Sequence, residues 1–433
     1  MKISGIHAAA WLALLAAGAS HAATAPAPAP ANPPDAYGET RNRQAPRYSP
    51  ATPEQFRAPK PATRIEVEVT TINKTLTWPW AIESLGDGTF LVTEKFGSLR
   101  QIDKAGRALP PILGIPPINP NDASLAQGGG GLLDLALAQD FAKSRRLYFT
   151  FAEPSQGAGP YGTESTLAVA TGLLSADRKA VTGWKVIWRM SKPAPSHEHY
   201  GARIAFDRTG AMFVSTGERA ADHGEFGIQA YKDARMDAQN PANNMGKTVR
   251  MRPDGSPAPG NPYIGKPGMS PYVWSLGHRN ILAITVDPKT GLVWTAEHGP
   301  TGGDELNQPE PGKNYGWPII TYGLDHDRGP VNEGITQKAG LEQPVYYWDP
   351  NVAPGGMMFY TGDLFAAWKG DLLIAGMIDK RLHRIKLDGR KVVSEDWVQL
   401  DGRLRDVIQG PDGALYIITD ELFGRLLKLT PKR

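Results

Sequence analysis

The chain has 433 residues, of which 47 are basic and 44 acidic, and its hydrophobic content of 41% is that of a globular protein with a sizeable core. This composition excludes a mainly disordered chain and allows either two average domains or one large all-β domain. A net charge of +3 without long basic runs argues against nucleic acid as the main partner. The absence of cysteine excludes disulfides and thiolate chemistry and fits an exported protein.

Residues 1–23 have the pattern of a secretory signal peptide. Lys2 precedes an apolar run over residues 8–17, and the small residues Ser20 and Ala22 suit cleavage. The apolar run is too short for a spanning helix, so we expect a periplasmic protein without a membrane span. A retained N-terminal anchor is the alternative.

Residues 24–62 are rich in proline, which predicts an extended and disordered linker. We therefore expect the folded, catalytic domain to occupy residues 63–433. Its first predicted strand, residues 64–72, has apolar side chains on one face.

One pattern, a turn followed by a short apolar strand, recurs six times in this domain. The turns fall at residues 86–88, 144–146, 207–210, 287–291, 369–371 and 411–413. Strand repeats of roughly 40–80 residues with few helix signals predict an all-β six-bladed β-propeller with four-stranded antiparallel blades. The first strand is expected to join the last sheet and close the ring. A pair of β-sandwiches is the alternative.

Residues 272–317 combine buried strands with polar loops. Strands are predicted at 273–276, 281–286 and 291–296, and polar side chains follow them at Arg279 and Asn280 and again from Glu297 to Glu305. Strand ends that bring polar groups together form a rigid platform for a site. The chemistry is therefore expected around this segment.

Three groups of residues outside any regular pattern have the types needed for catalysis or ligand binding. His197 and His199 suit a general base or a transition-metal pair, or are solvated loop histidines. The acidic, glycine-rich turn from Glu297 to Glu305 suits calcium, or is an ordinary turn. Arg403 and Arg405 share one face of an extended segment and suit a carboxylate or phosphate ligand, or face solvent.

Taken in order, several motifs resemble the soluble quinoprotein sugar dehydrogenases of the glucose/sorbosone dehydrogenase family, which use pyrroloquinoline quinone (PQQ) and calcium. The resemblance covers most of residues 76–430. The motifs are WPWAIESLGDGTFLVTEKFGSLR, QGGGGLLDLALAQDF, HYGARIAFDRTGAMFVSTGE, MGKTVRMRPDGS, SLGHRN, EHGPTGGDELN, NYGWP and RLRDVIQGPDG. The family is a six-bladed propeller, which agrees with the repeat count.

The resemblance implies a role for individual residues. His199 matches the catalytic base, Glu218 takes the place of the aspartate that orients it, and Arg279 stabilises charge on the quinone. The implied cofactor contacts are Gln127, Arg279, Asn280, Lys380, Arg403 and Arg405. The implied substrate contacts are Gln127 and Trp348. The carbonyls of Gly299 and Pro300 would hold the calcium at the quinone, and Asp304 and Glu305 a second, structural calcium.

Three departures from the family pattern bear on this interpretation. Glu218 is one methylene longer than the aspartate found there, and either Lys380 or Arg381 stands near the position of the cofactor-binding lysine, of which Lys380 is the choice. Long cysteine-bearing loops are absent, as in the shorter aldose sugar dehydrogenases of broad specificity.

We therefore expect an enzyme that oxidises an aldose at C1 to its lactone and passes electrons to an external acceptor, a quinone or a redox protein. Two other classes fit a calcium-binding propeller. One is a lactonase, in which metal-bound water attacks an ester, and the other is a non-catalytic sugar-binding propeller.

Overall fold

Six antiparallel sheets follow one another along the chain. The computed structural model describes residues 38–62, 64–118, 129–159, 162–191, 193–194, 196, 198–219 and 234–432, and within these residues five sheets have four strands and one has three. The first strands of neighbouring sheets contact one another in a closed circle, so the sheets surround a common axis as blades. The predicted six-bladed propeller is confirmed.

The strands are numbered in chain order. The strand that precedes the first blade is β1 (Val67–Leu76). The strands of blades 1 to 3 are β2 (Pro79–Ser84), β3 (Phe90–Glu94), β4 (Ser98–Ile102); β5 (Leu132–Leu137), β6 (Arg146–Gly159), β7 (Gly162–Leu174), β8 (Val181–Arg189); and β9 (Gly201–Phe206), β10 (Met212–Thr216), β11 (Lys247–Met251), β12 (Val273–Leu276). The strands of blades 4 to 6 are β13 (Ile281–Val286), β14 (Val293–Glu297), β15 (Asp304–Asn307), β16 (Tyr346–Trp348); β17 (Pro354–Phe359), β18 (Leu372–Gly376), β19 (Arg381–Asp388), β20 (Lys391–Gln399); and β21 (Leu404–Gln409), β22 (Leu415–Thr419), β23 (Gly424–Pro431).

Helix is confined to short segments in the described parts of the chain. The segments are the single turn α1 (Phe141–Ser144) and the 3₁₀ turns Pro53–Gln55, Met236–Gln239 and Ala366–Trp368. None of the helices that the structure describes has the length and apolar character needed to cross a bilayer. The proposed signal peptide, residues 1–23, lies outside the described residues.

The six predicted turns occupy equivalent places, because each of them joins the first strand of a blade to the second. The second strands β3, β10, β14, β18 and β22 are buried along their whole length. A strand that is covered on both faces by neighbouring blades has continuous apolar runs rather than alternation. This burial explains why the repeat was visible in the sequence.

Blade 1 departs from the four-stranded expectation. After β4 the chain runs back alongside it, and the N–H groups of Leu109 and Ile112 donate to the carbonyls of Gln101 and Leu99 at 2.9 and 2.8 Å. Pro110 and Pro111 lie between these two bonds and have no N–H to donate, which interrupts the ladder. The fourth position of this blade is therefore an irregular segment.

The ring is closed by a strand from each end of the domain. β1 pairs antiparallel with β23, from Val67 opposite Pro431 to Leu76 opposite Gly424. The closing strand extends four residues beyond the predicted end at residue 72. Blade 6 therefore has the order β1, β23, β22, β21, and the sheet edge of β23 is covered.

Residues 38–62, here named the N-terminal strap, pack on blades 4 and 5. Phe56 is 5% exposed and stacks on Tyr347 with ring centroids 4.7 Å apart. Arg43 Nε donates to Asp349 Oδ2 at 3.0 Å, and the N–H of Gln44 donates to Asp349 Oδ1 at 2.5 Å. This part of the expected linker is therefore attached to the propeller, and residues 24–37 lie outside the described residues.

Candidate active site

A pocket of about 470 Å³ is formed by residues from all six blades. In an antiparallel blade, the segment before the first strand and the turn after the second strand lie at the same end, and most of the lining comes from these segments. The lining residues with polar or aromatic side chains are Trp78, Trp80, Lys95, Glu198, His199, Tyr200, Asn280, His298, Arg403, Arg405 and Asp420.

His199 lines this pocket and forms a buried pair with Glu218, which lies behind it. His199 Nδ1 lies 3.1 and 3.2 Å from the two carboxylate oxygens of Glu218, which is fully buried. Because a carboxylate accepts hydrogen bonds, Nδ1 donates in this contact, which leaves the lone pair on Nε2 when the histidine is neutral. The side chain of Glu218, one methylene longer than the aspartate of the family pattern, therefore reaches His199. In its neutral form the histidine then has the tautomer required of a general base.

Backbone geometry fixes this pair. A Cβ on Gly217 would lie 2.0 Å from the carbonyl oxygen of His199, so only glycine lets the end of β10 approach the histidine loop so closely. The N–H of Glu218 donates to the carbonyl of Arg279 at 2.9 Å. The histidine loop and the loop after β12 are thus held together.

Arg219 supports the same loop. Its guanidinium carbon lies 3.5 Å from the centre of the Tyr200 ring, and it donates to Ser165 Oγ at 2.9 Å and to the carbonyls of Ser196 and Glu198. Burial lowers the pKa of this guanidinium. Sequence reasoning missed Arg219, although its place directly after the motif with Glu218 was a usable signal.

The loop between β12 and β13 carries Arg279 and Asn280. Glu297 binds this loop from β14, accepting from the Arg279 N–H at 2.6 Å and contacting His278 Nδ1 at 2.8 Å. Asn280 lines the pocket, and its Oδ1 accepts from the Gly201 N–H at 3.1 Å. Arg279 does not line the pocket, and its Nη1 donates to the Gly299 carbonyl at 3.1 Å.

His298 lines the pocket next to these groups. Its Nε2 donates to the Pro354 carbonyl at 3.0 Å, which leaves Nδ1 as the acceptor. Burial and the nearby Arg279 lower the pKa of His298 to about 3. The side chain is therefore neutral at physiological pH.

The carbonyls of Gly299 and Pro300 meet Asn351, a residue that was not singled out in the sequence. Asn351 Nδ2 lies 3.2 Å from the Pro300 oxygen and 3.5 Å from the Gly299 oxygen. Its Oδ1 is buried and has no hydrogen-bond donor among the described residues. A buried oxygen without a donor beside two carbonyls has the chemistry of a hard-cation site.

Asp304 and Glu305 lie beside this loop with different surroundings. Asp304 accepts from the N–H groups of Gly299, Val352 and Ala353 at 2.6–2.8 Å, so its oxygens shape the loop. Burial raises the pKa of Asp304 to about 7, and burial together with Glu297 raises that of Glu305. Within the described residues, no cluster of three or more His, Cys, Asp or Glu side chains is arranged to hold a metal ion.

A cationic wall forms the blade 6 side of the pocket. Asp420 Oδ2 lies 2.5 Å from Arg405 Nη2 and 3.5 Å from Arg403 Nε, and Asp420 Oδ1 lies 3.1 Å from Lys95 Nζ. The two arginines and Lys95 hold the pKa of Asp420 well below its usual range, against the effect of burial. Three cations thus surround one carboxylate.

Two predicted site residues that the structure describes, Lys380 and Trp348, are not part of this arrangement. Gln127 lies outside the described residues. Lys380 is exposed on the turn before β19 and does not line the pocket, although Met377 from the same turn does. Neither does the alternative Arg381, which binds Glu39 of the strap.

Trp348 does not face the pocket and lies in the core instead. It is 2% exposed, and its indole N–H donates to Glu395 Oε1 at 2.8 Å. The same carboxylate accepts from Tyr346 Oη and contacts His383 Nδ1, both at 2.7 Å. A substrate contact by Trp348 would require this packing to open.

The profile of the family described as glucose/sorbosone dehydrogenase matches residues 76–428, and the chain belongs to this family of sugar-oxidising enzymes.

Individual relatives agree with this assignment. The chain is 37% identical over 377 residues to the aldose sugar dehydrogenase YliI of Escherichia coli, covering 86% of this chain and 94% of that protein. The crystal structure of the soluble aldose sugar dehydrogenase of E. coli in the apo form has a TM-score of 0.76 at 36% identity, covering 85% and 100%. The PQQ-bound form of the aldose sugar dehydrogenase of Streptomyces coelicolor has a TM-score of 0.63 at 26% identity, covering 86% and 100%.

Proposed function

We propose that the protein is a PQQ- and calcium-dependent aldose dehydrogenase that oxidises the sugar at C1 to the lactone. The observation that carries this proposal is the His199–Glu218 pair in a pocket whose opposite wall has a surplus of positive charge. The PQQ-bound relative from S. coelicolor supports the choice of cofactor.

The residues present fit both groups. PQQ has three carboxylates, and the wall around Asp420 offers cations for an anionic ligand. The carbonyls of Gly299 and Pro300, with the unpaired Oδ1 of Asn351, are hard oxygen ligands suited to calcium. The proposed second calcium at Asp304 and Glu305 has weaker support, because the Asp304 oxygens already accept backbone N–H groups.

The chain's own residues supply orientation and proton transfer. Glu218 holds His199 through Nδ1, so that Nε2 can take the proton of the C1 hydroxyl. Protonation of His199 would place a positive charge beside the buried Glu218, which stabilises it. PQQ, with calcium as a Lewis acid, would supply the acceptor for the hydride that leaves C1.

Asn280 and Arg279 contribute a polar group and a positive charge to the proposed site from the blade 4 side. Asn280 presents its side chain to the pocket. The guanidinium of Arg279, 3.1 Å from the Gly299 carbonyl, brings a fixed positive charge next to the proposed calcium loop. His298 stays neutral and adds no competing charge.

The test is reduction of a dye acceptor by the purified protein with a panel of aldoses, with and without PQQ and calcium. We expect turnover only when both are added. His199→Ala should lower kcat by about 10²–10⁴-fold, the usual range for a general base, while PQQ binding followed by absorbance is retained. Turnover within about tenfold of wild type would exclude this role, and lactone hydrolysis without quinone would favour a lactonase.

Location and electron transfer complete the proposal. We propose export through the signal peptide at residues 1–23 and transfer of electrons in the periplasm to a quinone or redox protein. The mass of the mature chain, purified from the periplasmic fraction of its producing cells, should correspond to a start near residue 23. An intact N-terminus in a membrane fraction would indicate a retained anchor.

A further inference from the structure

The cationic wall contains a lysine that comes from blade 1. Lys95 directly follows β3, is 3% exposed, and lines the same pocket as Arg403 and Arg405. Its ammonium group lies 3.1 Å from Asp420 Oδ1 and 5.2 Å from the centre of the Trp78 ring. Lys95 therefore brings a second blade into a wall otherwise formed by blade 6.

The backbone of Lys95 is held from several sides. Its N–H donates to the carbonyl of Trp78 at 3.0 Å, and its own carbonyl accepts from the N–H of Leu132 at 3.0 Å. The N–H of Trp78 donates in turn to the carbonyl of Glu421 at 3.0 Å, next to Asp420. Blades 1, 2 and 6 thus fix the position from which the lysine side chain extends.

The charges around Lys95 indicate which kind of ligand the cationic wall can bind. Burying an ammonium group costs free energy unless it is paired, and here three cations share the single carboxylate of Asp420. One carboxylate cannot neutralise three cations, so the wall is complementary to a ligand with more than one carboxylate.

We propose that Lys95 is the lysine that binds a carboxylate of PQQ, and that Asp420 positions it for this contact. The proposal rests on the proposed function and assigns to Lys95 the role that the sequence suggested for Lys380. Lys380 is exposed and does not line the pocket, whereas Lys95 has a fixed place in it.

Proton uptake gives the proposal a distinct signature. Burial and Arg405 lower the pKa of Lys95 to about 8, and the groups that face it are Arg405, Arg403 and Asp420. An anionic ligand raises the pKa of a neighbouring lysine, so binding above pH 8 should take up a proton. The affinity for PQQ should then fall as the pH rises through this range.

The experiment measures PQQ binding to the full chain with calcium present, by calorimetry at pH 8.5 in two buffers of different ionisation enthalpy. Lys95→Met should weaken binding on the order of 10–100-fold, as expected for loss of a charge-assisted contact. Lys95→Arg should bind within about tenfold of wild type without proton uptake, since arginine does not titrate in this range. Lys380→Met and the exposed control Lys104→Met should behave as wild type.

The outcomes of these measurements distinguish the proposed role of Lys95 from the proposed function of the protein. Wild-type affinity in Lys95→Met, or loss of affinity in Lys380→Met alone, would overturn the role of Lys95 while leaving the proposed function intact. If Lys95→Met does not fold, unchanged proton uptake in Lys95→Arg overturns it instead. A folded wild-type protein that neither binds PQQ nor reduces the dye would overturn both.

Discussion

At the scale of single residues, the His199–Glu218 pair is the contact on which the proposed chemistry depends. Glu218→Gln keeps an oxygen that can accept from Nδ1 but removes the negative charge. We expect kcat to fall by at least ~10-fold and the acid limb of the kcat–pH profile to move to lower pH, because the pKa of the histidine falls without the carboxylate. Glu68→Gln on exposed β1 is the control. An unmoved acid limb would contradict the pairing.

Trp348 allows a test of where its side chain lies. Trp348→Phe removes the indole N–H that Glu395 accepts, which should lower the free energy of unfolding by ~1–3 kcal/mol. Because the side chain is in the core, KM for the aldose should stay as in wild type. Chemical denaturation and steady-state kinetics measure the two effects, and a raised KM with unchanged stability would show that the residue faces the substrate.

His383 makes stability depend on pH. It lies between Asp379 and Glu395, 2.7 Å from each, and these contacts raise its pKa to about 9 against the effect of burial. A raised folded-state pKa stabilises the fold below the unfolded value near 6.5, and this stabilisation is lost as the pH rises towards 9. Unfolding curves should therefore show a decline over this window that is absent in His383→Gln. Parallel declines would contradict the assignment.

These residues also show what the sequence could and could not predict. His199 and Glu218 were found because they lie in short motifs close together in the chain. Lys95 was missed because its partner Asp420 is far away in sequence, and only ring closure brings them together. Trp348 was expected at the pocket but lies in the core, because side chains alternate between faces along a strand and a shift of one residue exchanges the two faces.

At the scale of elements, the N-terminal strap shows that proline-rich sequence can pack without regular structure. Residues 38–62 contain no strand and a single 3₁₀ turn, Pro53–Gln55, and proline disfavours regular structure of both kinds. Packing depends instead on single side chains such as Phe56 and Arg43, and nothing in the composition marks those two for contact with blade 4.

We expect the strap to support the loop of the proposed calcium site, Gly299 and Pro300. Gln44 Oε1 accepts from the N–H of Asn351 at 2.8 Å, next to the carbonyls of the proposed site. A chain that starts at residue 63 should lose ~3–6 kcal/mol of stability, because removal of the strap uncovers Tyr322 and Tyr347, which pack with Phe56 in one buried cluster. It should also bind calcium more weakly than a chain that starts at residue 38. Calorimetric unfolding and calcium titration measure this. Equal stability and equal calcium affinity in the two chains would show that the strap does not support the site.

At the scale of the whole molecule, the six repeats and their connecting turns predicted the ring, because buried second strands leave a clear apolar signal in every blade. The exception is the fourth strand of blade 1. The repeat predicts this strand, but Pro110 and Pro111 interrupt it. The loops that form the cationic wall do not follow the repeat, so their arrangement could not be predicted from the sequence.

Ring closure should make the propeller unfold as one unit. Leu427 on β23 is 2% exposed, and Leu427→Ala should cost ~2–5 kcal/mol, whereas Leu422→Ala at a half-exposed position should change stability by about 0.5 kcal/mol or less. We expect activity and the far-ultraviolet circular dichroism of Leu427→Ala to be lost together at one lower temperature. Loss of activity well before the remaining signal would indicate that blade 6 opens separately.

The pairing of β1 with β23 also has a consequence for biosynthesis. β1 is translated first among the strands and β23 last, so the first strand has no partner in its sheet until nearly the whole domain has been made. The pocket depends on the same event, because Lys95 and Asp420 meet only when the ends of the ring do. A chain truncated before Asp420 therefore lacks part of the pocket wall, which is complete only after blade 6 has been synthesised.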